Sequence, residues 1–118
     1  MALPAHTRAV FPLHILATPL SGAIADDTKT TLVAAPAAGL ATVVTMLTVF
    51  QTGATQAVVH LFDGNTIIWR IPLTTEWGSG LDSALTIPLT LTAATLLAIQ
   101  SGAATTYEYS VQTVTVDV

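Results

Sequence analysis

The sequence predicts an all-β chain folded as a single antiparallel β-sandwich, and three observations carry that prediction. Runs rich in Val, Ile, Thr, Leu and aromatic residues recur at strand length, as over residues 41–51 and 66–73. Glycine, proline, asparagine and aspartate cluster between them, most clearly at Asp63-Gly64-Asn65, residues that tolerate the positive φ of a tight hairpin. No long stretch shows the spacing of an amphipathic helix, and residues 92–98 make at most one helical turn.

Taken in order, the chain opens on residues 1–25, where Arg8, the apolar run 10–20 and Ala23-Ile24-Ala25 imitate a secretory signal. Pro12 and His14 interrupt the apolar run, so the segment reads instead as an extended N-terminal arm entering a first strand near residues 13–18. Such an arm either docks on a neighbouring molecule or closes its own sheet, and both readings stay open. Asp26-Asp27-Thr28-Lys29 is a solvated turn, residues 30–35 a strand, and Pro36-Ala37-Ala38-Gly39 a loop. The division is thus an arm with its first strand over 1–29 and a sandwich domain over 30–118.

Residues 39–73 read as three consecutive antiparallel strands joined by tight turns at 52–55 and 63–65. In the third of them Ile67, Trp69, Ile71 and Leu73 share one face, and Thr66, Ile68, Arg70 and Pro72 the other. Trp77 then sits at the centre of a glycine-containing loop, and residues 81–91 follow as a strand in which Pro88 marks an edge or a bend. A short strand over 95–100, a turn at 101–103 and a final strand over 105–118 complete the chain. In that final strand Tyr107, Tyr109 and Val111 share one face while Val114, Val116 and Val118 share the other. This change of parity needs either a bulge near Gln112 or a strand that leaves its sheet for another surface, and the second is the expectation. Seven or eight short strands of this kind make a sandwich of jelly-roll type.

Composition narrows function. With 118 residues the chain makes one domain, and with no cysteine it has neither disulfides nor thiolate metal sites. Hydrophobic residues make up 52% and charged residues 8%, too few to solvate the whole surface of a monomer, so self-association is expected. A net charge of -4 with three basic residues excludes a cationic nucleic-acid footprint. Pro36, Gly39, Gly53 and repeated threonines break every run that approaches a membrane helix, so no membrane partner is expected.

No reaction is spelled out. Gly78-Ser79-Gly80 lacks the spacing and setting of a nucleophile elbow. His6, His14 and His60 are scattered, and His60 reads as an interior or interface residue beside Val58 and Phe62. Asp26, Asp27, Asp63 and Asn65 offer oxygens suited to calcium, but turns account for them more simply. The reading is therefore a non-enzymatic protein with no cofactor and no metal, and its candidate residues are for partner binding: His6, Arg8 and Phe11 on the arm, and the aromatics Trp77, Tyr107 and Tyr109.

The succession Thr31-Leu32-Val33-Ala34-Ala35-Pro36, Val43 to Val49, Val59-His60-Leu61-Phe62-Asp63-Gly64 and Ile68-Trp69-Arg70-Ile71-Pro72-Leu73, closing on a Thr/Val-rich strand, resembles small β-sandwich virion proteins of tailed bacteriophages. Head decoration or cement proteins and head-fibre proteins are the nearest in pattern, over residues 30–118. The resemblance implies a homo-oligomer, commonly a trimer, bound to the major capsid protein on the outer surface of the head and strengthening the shell. The alternative it implies is a fibre-tip or carbohydrate-binding module that uses Trp77 and loop tyrosines.

Overall fold

The computed structural model describes residues 18–74 and 80–118, with side chains over 19–74 and 88–118. Among these residues eight strands form: β1 (Thr18–Ile24), β2 (Thr30–Val33), β3 (Leu40–Gln51), β4 (Ala57–Asp63), β5 (Thr66–Leu73), β6 (Gly80–Thr90), β7 (Leu97–Ser101) and β8 (Tyr107–Asp117). They make two four-stranded antiparallel sheets, β1-β8-β3-β6 and β2-β7-β4-β5. β1 pairs with β8, β2 with β7, β3 with β6 and β4 with β5. The chain is therefore a two-stranded ribbon, with β1 to β4 as one limb and β5 to β8 as the other, rolled up on itself. Ladders between β3 and β8 and between β4 and β7 close the roll into its two sheets. This is a jelly roll, the fold class the sequence predicts.

Alternation builds the core. Leu47 and Val49 of β3, Val59 and Leu61 of β4, Ile71 and Leu73 of β5, Leu97 and Ile99 of β7, and Tyr107 and Val111 of β8 form one buried cluster between the sheets. Each side chain of this size contributes roughly 1.5–3 kcal/mol when taken fully out of water. Trp69 and Ile68 pack against the cluster while staying half-buried. β1 belongs to the same body, because its seven residues all pair with β8. Of the first strand expected near residues 13–18, only Thr18 is described, and the remainder of that expectation lies outside the described residues.

Residues 39–73 are not a three-stranded meander. β4 and β5 do form a hairpin, but β3 lies in the opposite sheet, and residues 52–56 carry the chain across the sandwich. Side-chain and loop hydrogen bonds hold that corner in place of a hairpin ladder. Gln51, with none of its surface exposed, donates from Nε2 to Thr55 O (2.7 Å) and Thr74 O (2.5 Å), and its Oε1 accepts from the Thr105 hydroxyl. The amides of Thr52 and Gly53 both donate to Thr106 O, at 2.9 and 2.8 Å. The turn-forming residues were visible in the sequence; the partner strand was not, because both faces of β3 are apolar and alternation cannot choose between them.

The β4–β5 hairpin turns through Gly64-Asn65, between the paired residues Asp63 and Thr66. Gly64 holds φ at +62° while Asn65 does not take a positive φ, the pattern of a type II′ turn. One residue later in β5 the register slips: Leu61 opposes Trp69 but Phe62 opposes Ile67, so Ile68 is the extra residue of a bulge. The uniform alternation expected from 66 to 73 is thereby broken, and Ile67 is moved to the face of Phe62.

The parity change in the last strand also has a different cause from the one expected. β8 stays in one sheet, paired with β3 along its whole length and with β1 from Tyr107 to Thr113 among the described residues. The irregularity is in β3, where Val44 opposes Thr113 and Met46 opposes Gln112, leaving Thr45 as the extra residue with its hydroxyl donating to Gln112 O at 3.1 Å. Tyr107, Val111 and Thr113 continue to face the core side, and Val114 and Val116 lie on the outer face beside Val43 and Ala41. β6 is an edge strand carrying Pro88, in the position a missing amide allows. No helix forms among the described residues, and residues 93–94 make a turn in which Ala94 takes φ +57°.

Candidate interaction surface

The inward faces are filled by the core, so any functional surface among the described residues lies on the outer faces of the sheets. Among those residues no three His, Asp or Glu side chains gather as a metal site. Of the residues with oxygens suited to calcium, Asp26, Asp63 and Asn65 each serve as a structural acceptor, while Asp63 Oδ1 is buried with no hydrogen-bond partner among the described residues. Asp63 Oδ2 receives the amide and hydroxyl of Thr92 at 3.0 and 2.8 Å, and Asp26 Oδ1 receives the Thr28 amide at 3.0 Å. Asn65 Oδ1 accepts from Lys29 at 3.1 Å.

The outer face of the second sheet is organised in cross-strand rows. His60 lies between Arg70 on β5 and Gln100 on β7, and in the next row Val58 lies opposite Pro72. Val58 is 40% exposed, an open apolar side chain in the middle of a strand. Phe62 is covered instead: the His60 ring meets it edge-on with centroids 6.3 Å apart, and the Lys29 ammonium stands 4.3 Å from its ring centroid. That cation–π contact is reinforced, since Lys29 Nζ also donates to Gly64 O at 2.8 Å. Gln100 Nε2 donates to Asp27 O at 3.0 Å, tying the 26–29 turn down over this face. Both Lys29 and Arg70 are therefore on this side of the sandwich, and Arg70 is exposed with no ion pair among the described residues.

The outer face of the first sheet differs in sign. It presents Glu108 opposite Phe50, Ser110 opposite Thr48 and Gln112 opposite Met46, while the Val43–Val114 pair beyond them is buried. No cation is found there among the described residues. Pro19, Ser21, Met46 and Gln112 border a shallow depression of about 280 Å³ on this face.

Of the candidate residues named from the sequence, His6, Arg8, Phe11 and Trp77 lie outside the described residues. Tyr107 and Tyr109 do not share a surface. Tyr107 is 0% exposed and belongs to the core, so it offers nothing to a partner. Tyr109 is half-buried against the core, and its ring occupies the space a side chain at Gly22 would need, with the hydroxyl oxygen 2.7 Å from where a Cβ would be. It covers a glycine across the β1–β8 ladder, a structural use of an aromatic. What sequence reasoning passed over is the exposed group Val58, Arg70 and Pro72. The signal for it was present, because Arg70 is the one charged residue on the outward parity of β5.

The core position of Tyr107 has a measurable consequence. Its hydroxyl is buried and has no partner among the described residues. Burial, then the charge of Asp26, then Tyr109 push its pKa up from the ordinary value near 10 to about 12. In the unfolded chain the ring ionises first, so its stabilising effect is complete below pH 10 and is lost as pH rises from 10 through 12. Tyr107→Phe is expected to change stability at pH 7 by less than about 1 kcal/mol, since it removes an unpaired hydroxyl, and to flatten the loss of melting temperature between pH 10 and 12. A wild-type and variant pair that fall in parallel over that range would refute the assignment. Comparison with models of known protein families and with curated proteins finds no match.

Proposed function

We propose that the protein is a non-enzymatic structural component of a bacteriophage virion, a homotrimeric decoration or cement protein bound to the major capsid protein on the outer surface of the head. The observation that carries this reading is the combination of 8% charged residues with outer sheet faces that leave Met46, Phe50 and Val116 half-buried on one side and Val58 and Pro72 exposed on the other. A surface so poor in charge is suited to being covered by further subunits. The jelly roll is in keeping with this, being a frequent architecture of capsid and lectin domains, though the fold by itself hosts many functions. Many modest contacts repeated over a shell give a large collective resistance to expansion.

In this reading the N-terminal residues, including His6, Arg8 and Phe11, grip the capsid. Deleting residues 1–12 leaves β1 and everything after it intact, so the truncated chain is expected to fold with an unchanged melting temperature. It is also expected to be lost from purified particles, with occupancy reduced at least tenfold. Full occupancy after truncation would remove the arm from the mechanism. A monomer in native mass spectrometry at micromolar concentration would remove the trimer.

A further inference from the structure

The two sheets of the sandwich carry opposite charge, and the sequences of their strands decide it. The four strands of the first sheet contain no Lys, Arg or His, while Asp82, Glu108 and Asp117 all belong to them. The second sheet brings His60 on β4 and Arg70 on β5, and its one acid, Asp63, is taken up by Thr92. Lys29 adds a cation on that side through its contact with the Phe62 ring. Apolar side chains accompany the charge on each outer face. Glu108 lies opposite the half-buried Phe50, and Arg70 lies two residues before the exposed Pro72, which is itself opposite the exposed Val58.

We propose that the outer face of the second sheet, around Val58, Arg70 and Pro72, binds a second copy of the chain through that copy's first sheet, around Phe50 and Glu108. Charge selects the pairing. A two-fold contact of either face with itself would gather like charges about the axis, whereas face against opposite face sets the Arg70 guanidinium beside the Glu108 carboxylate. With only 8% of residues charged, these few groups set the register while the apolar residues supply the buried area. The contact is heterologous, each copy offering one face and receiving the other. Such contacts close into rings when each copy is rotated relative to the last and run into open rows when it is not. Position favours closure, because Arg70 and Pro72 stand on β5, the end strand of its sheet, and Glu108 on β8, an inner strand. The border of one sandwich thus lies on the middle of the next, which turns successive copies as a ring requires. The inference rests on the self-association proposed above and not on a place in a virion.

Reciprocal charge exchange in the full-length protein tests this. In sedimentation velocity at low salt, Arg70→Glu and Glu108→Arg are each expected to raise the concentration needed for assembly by at least about tenfold, since each sets like charges face to face. The combined variant Arg70→Glu/Glu108→Arg restores the attraction and is expected to return to within about threefold of wild type. Glu108→Gln, which keeps the shape of a half-buried side chain, guards against a folding defect: it is expected to melt as wild type does and still to assemble about threefold less readily. Assembly unmoved by the single substitutions would leave these faces to a different partner and overturn the proposal. Single defects that the combined variant does not repair would overturn it too, because the two residues would not then face each other. Both results leave the oligomer itself standing. A wild-type chain that is monomeric throughout would instead remove the oligomer, and this interface with it.

Discussion

Gln51→Leu is expected to lower the melting temperature by roughly 10–20 °C, although leucine has nearly the volume of glutamine and the site is fully buried. The reason is arithmetic of partners rather than packing. One amide group serves Thr55 O, Thr74 O and the Thr105 hydroxyl, which come from the 52–56 crossover, the end of β5 and the loop before β8. Leucine leaves all three without that partner, and an unsatisfied buried polar group costs about 1–3 kcal/mol. Some of them regain water at the molecule's end, so about 3–5 kcal/mol is the reasonable total. Against a domain stability of roughly 5–15 kcal/mol this is a large fraction. Thermal unfolding followed by circular dichroism reads it directly. A variant that melts within about 2 °C of wild type would show that the network is incidental and that the crossover is held by packing.

Gly53→Ala is the second large effect, and two opposing terms decide its sign. Gly53 does not have a positive φ, so alanine meets no backbone penalty and, by restricting the unfolded chain, would stabilise by about 0.4–1 kcal/mol. The space is already taken, however. A Cβ there would lie 2.7 Å from Thr105 Oγ1, 2.9 Å from Thr106 N and 3.3 Å from Thr106 O. Two of those atoms are backbone, and the same Thr106 O receives the Thr52 and Gly53 amides. The loop must move away, which weakens these bonds and pulls Thr105 from Gln51. Destabilisation of about 2–4 kcal/mol is expected, the usual scale of overpacking with a lost hydrogen bond. Since both substitutions act on Thr105, the double variant should fall short of the sum by at least about 1 kcal/mol. Strict additivity in denaturant titrations would disprove a shared network.

How far the sequence could be read follows from which physical signals are local. Strand positions and the Gly64-Asn65 turn were legible because alternation and positive φ are properties of a few neighbouring residues. The jelly-roll class was legible through the number and length of such strands. Placing β4 beside β3 failed because the choice between sheets is made by Gln51, Thr105 and Thr106, residues more than fifty positions apart in sequence. The same limit explains the last strand: its change of parity was seen in Val111, Val114 and Val116, but the compensating bulge sits at Thr45 on another strand. For the surface, the parity of β5 already set Arg70 and Pro72 outward. Tyr107 was misjudged as a surface aromatic because a strand in the middle of a sheet buries its tyrosine as readily as an exposed one displays it.

The pairing of β1 with β8 bears on how the polypeptide reaches its native state. β8 is not an edge but an inner strand, with β1 on one side and β3 on the other. A chain emerging from the ribosome can close the β4–β5 hairpin early, yet it cannot finish the first sheet until β8 has been synthesised, because Thr18 waits for Thr113. Folding is therefore completed after translation of nearly the whole domain, and nonlocal pairing of this kind is slow. During that interval the apolar β3 can pair with β6 but lacks β8, and chaperone engagement or early contact with sister chains would act on its open side first.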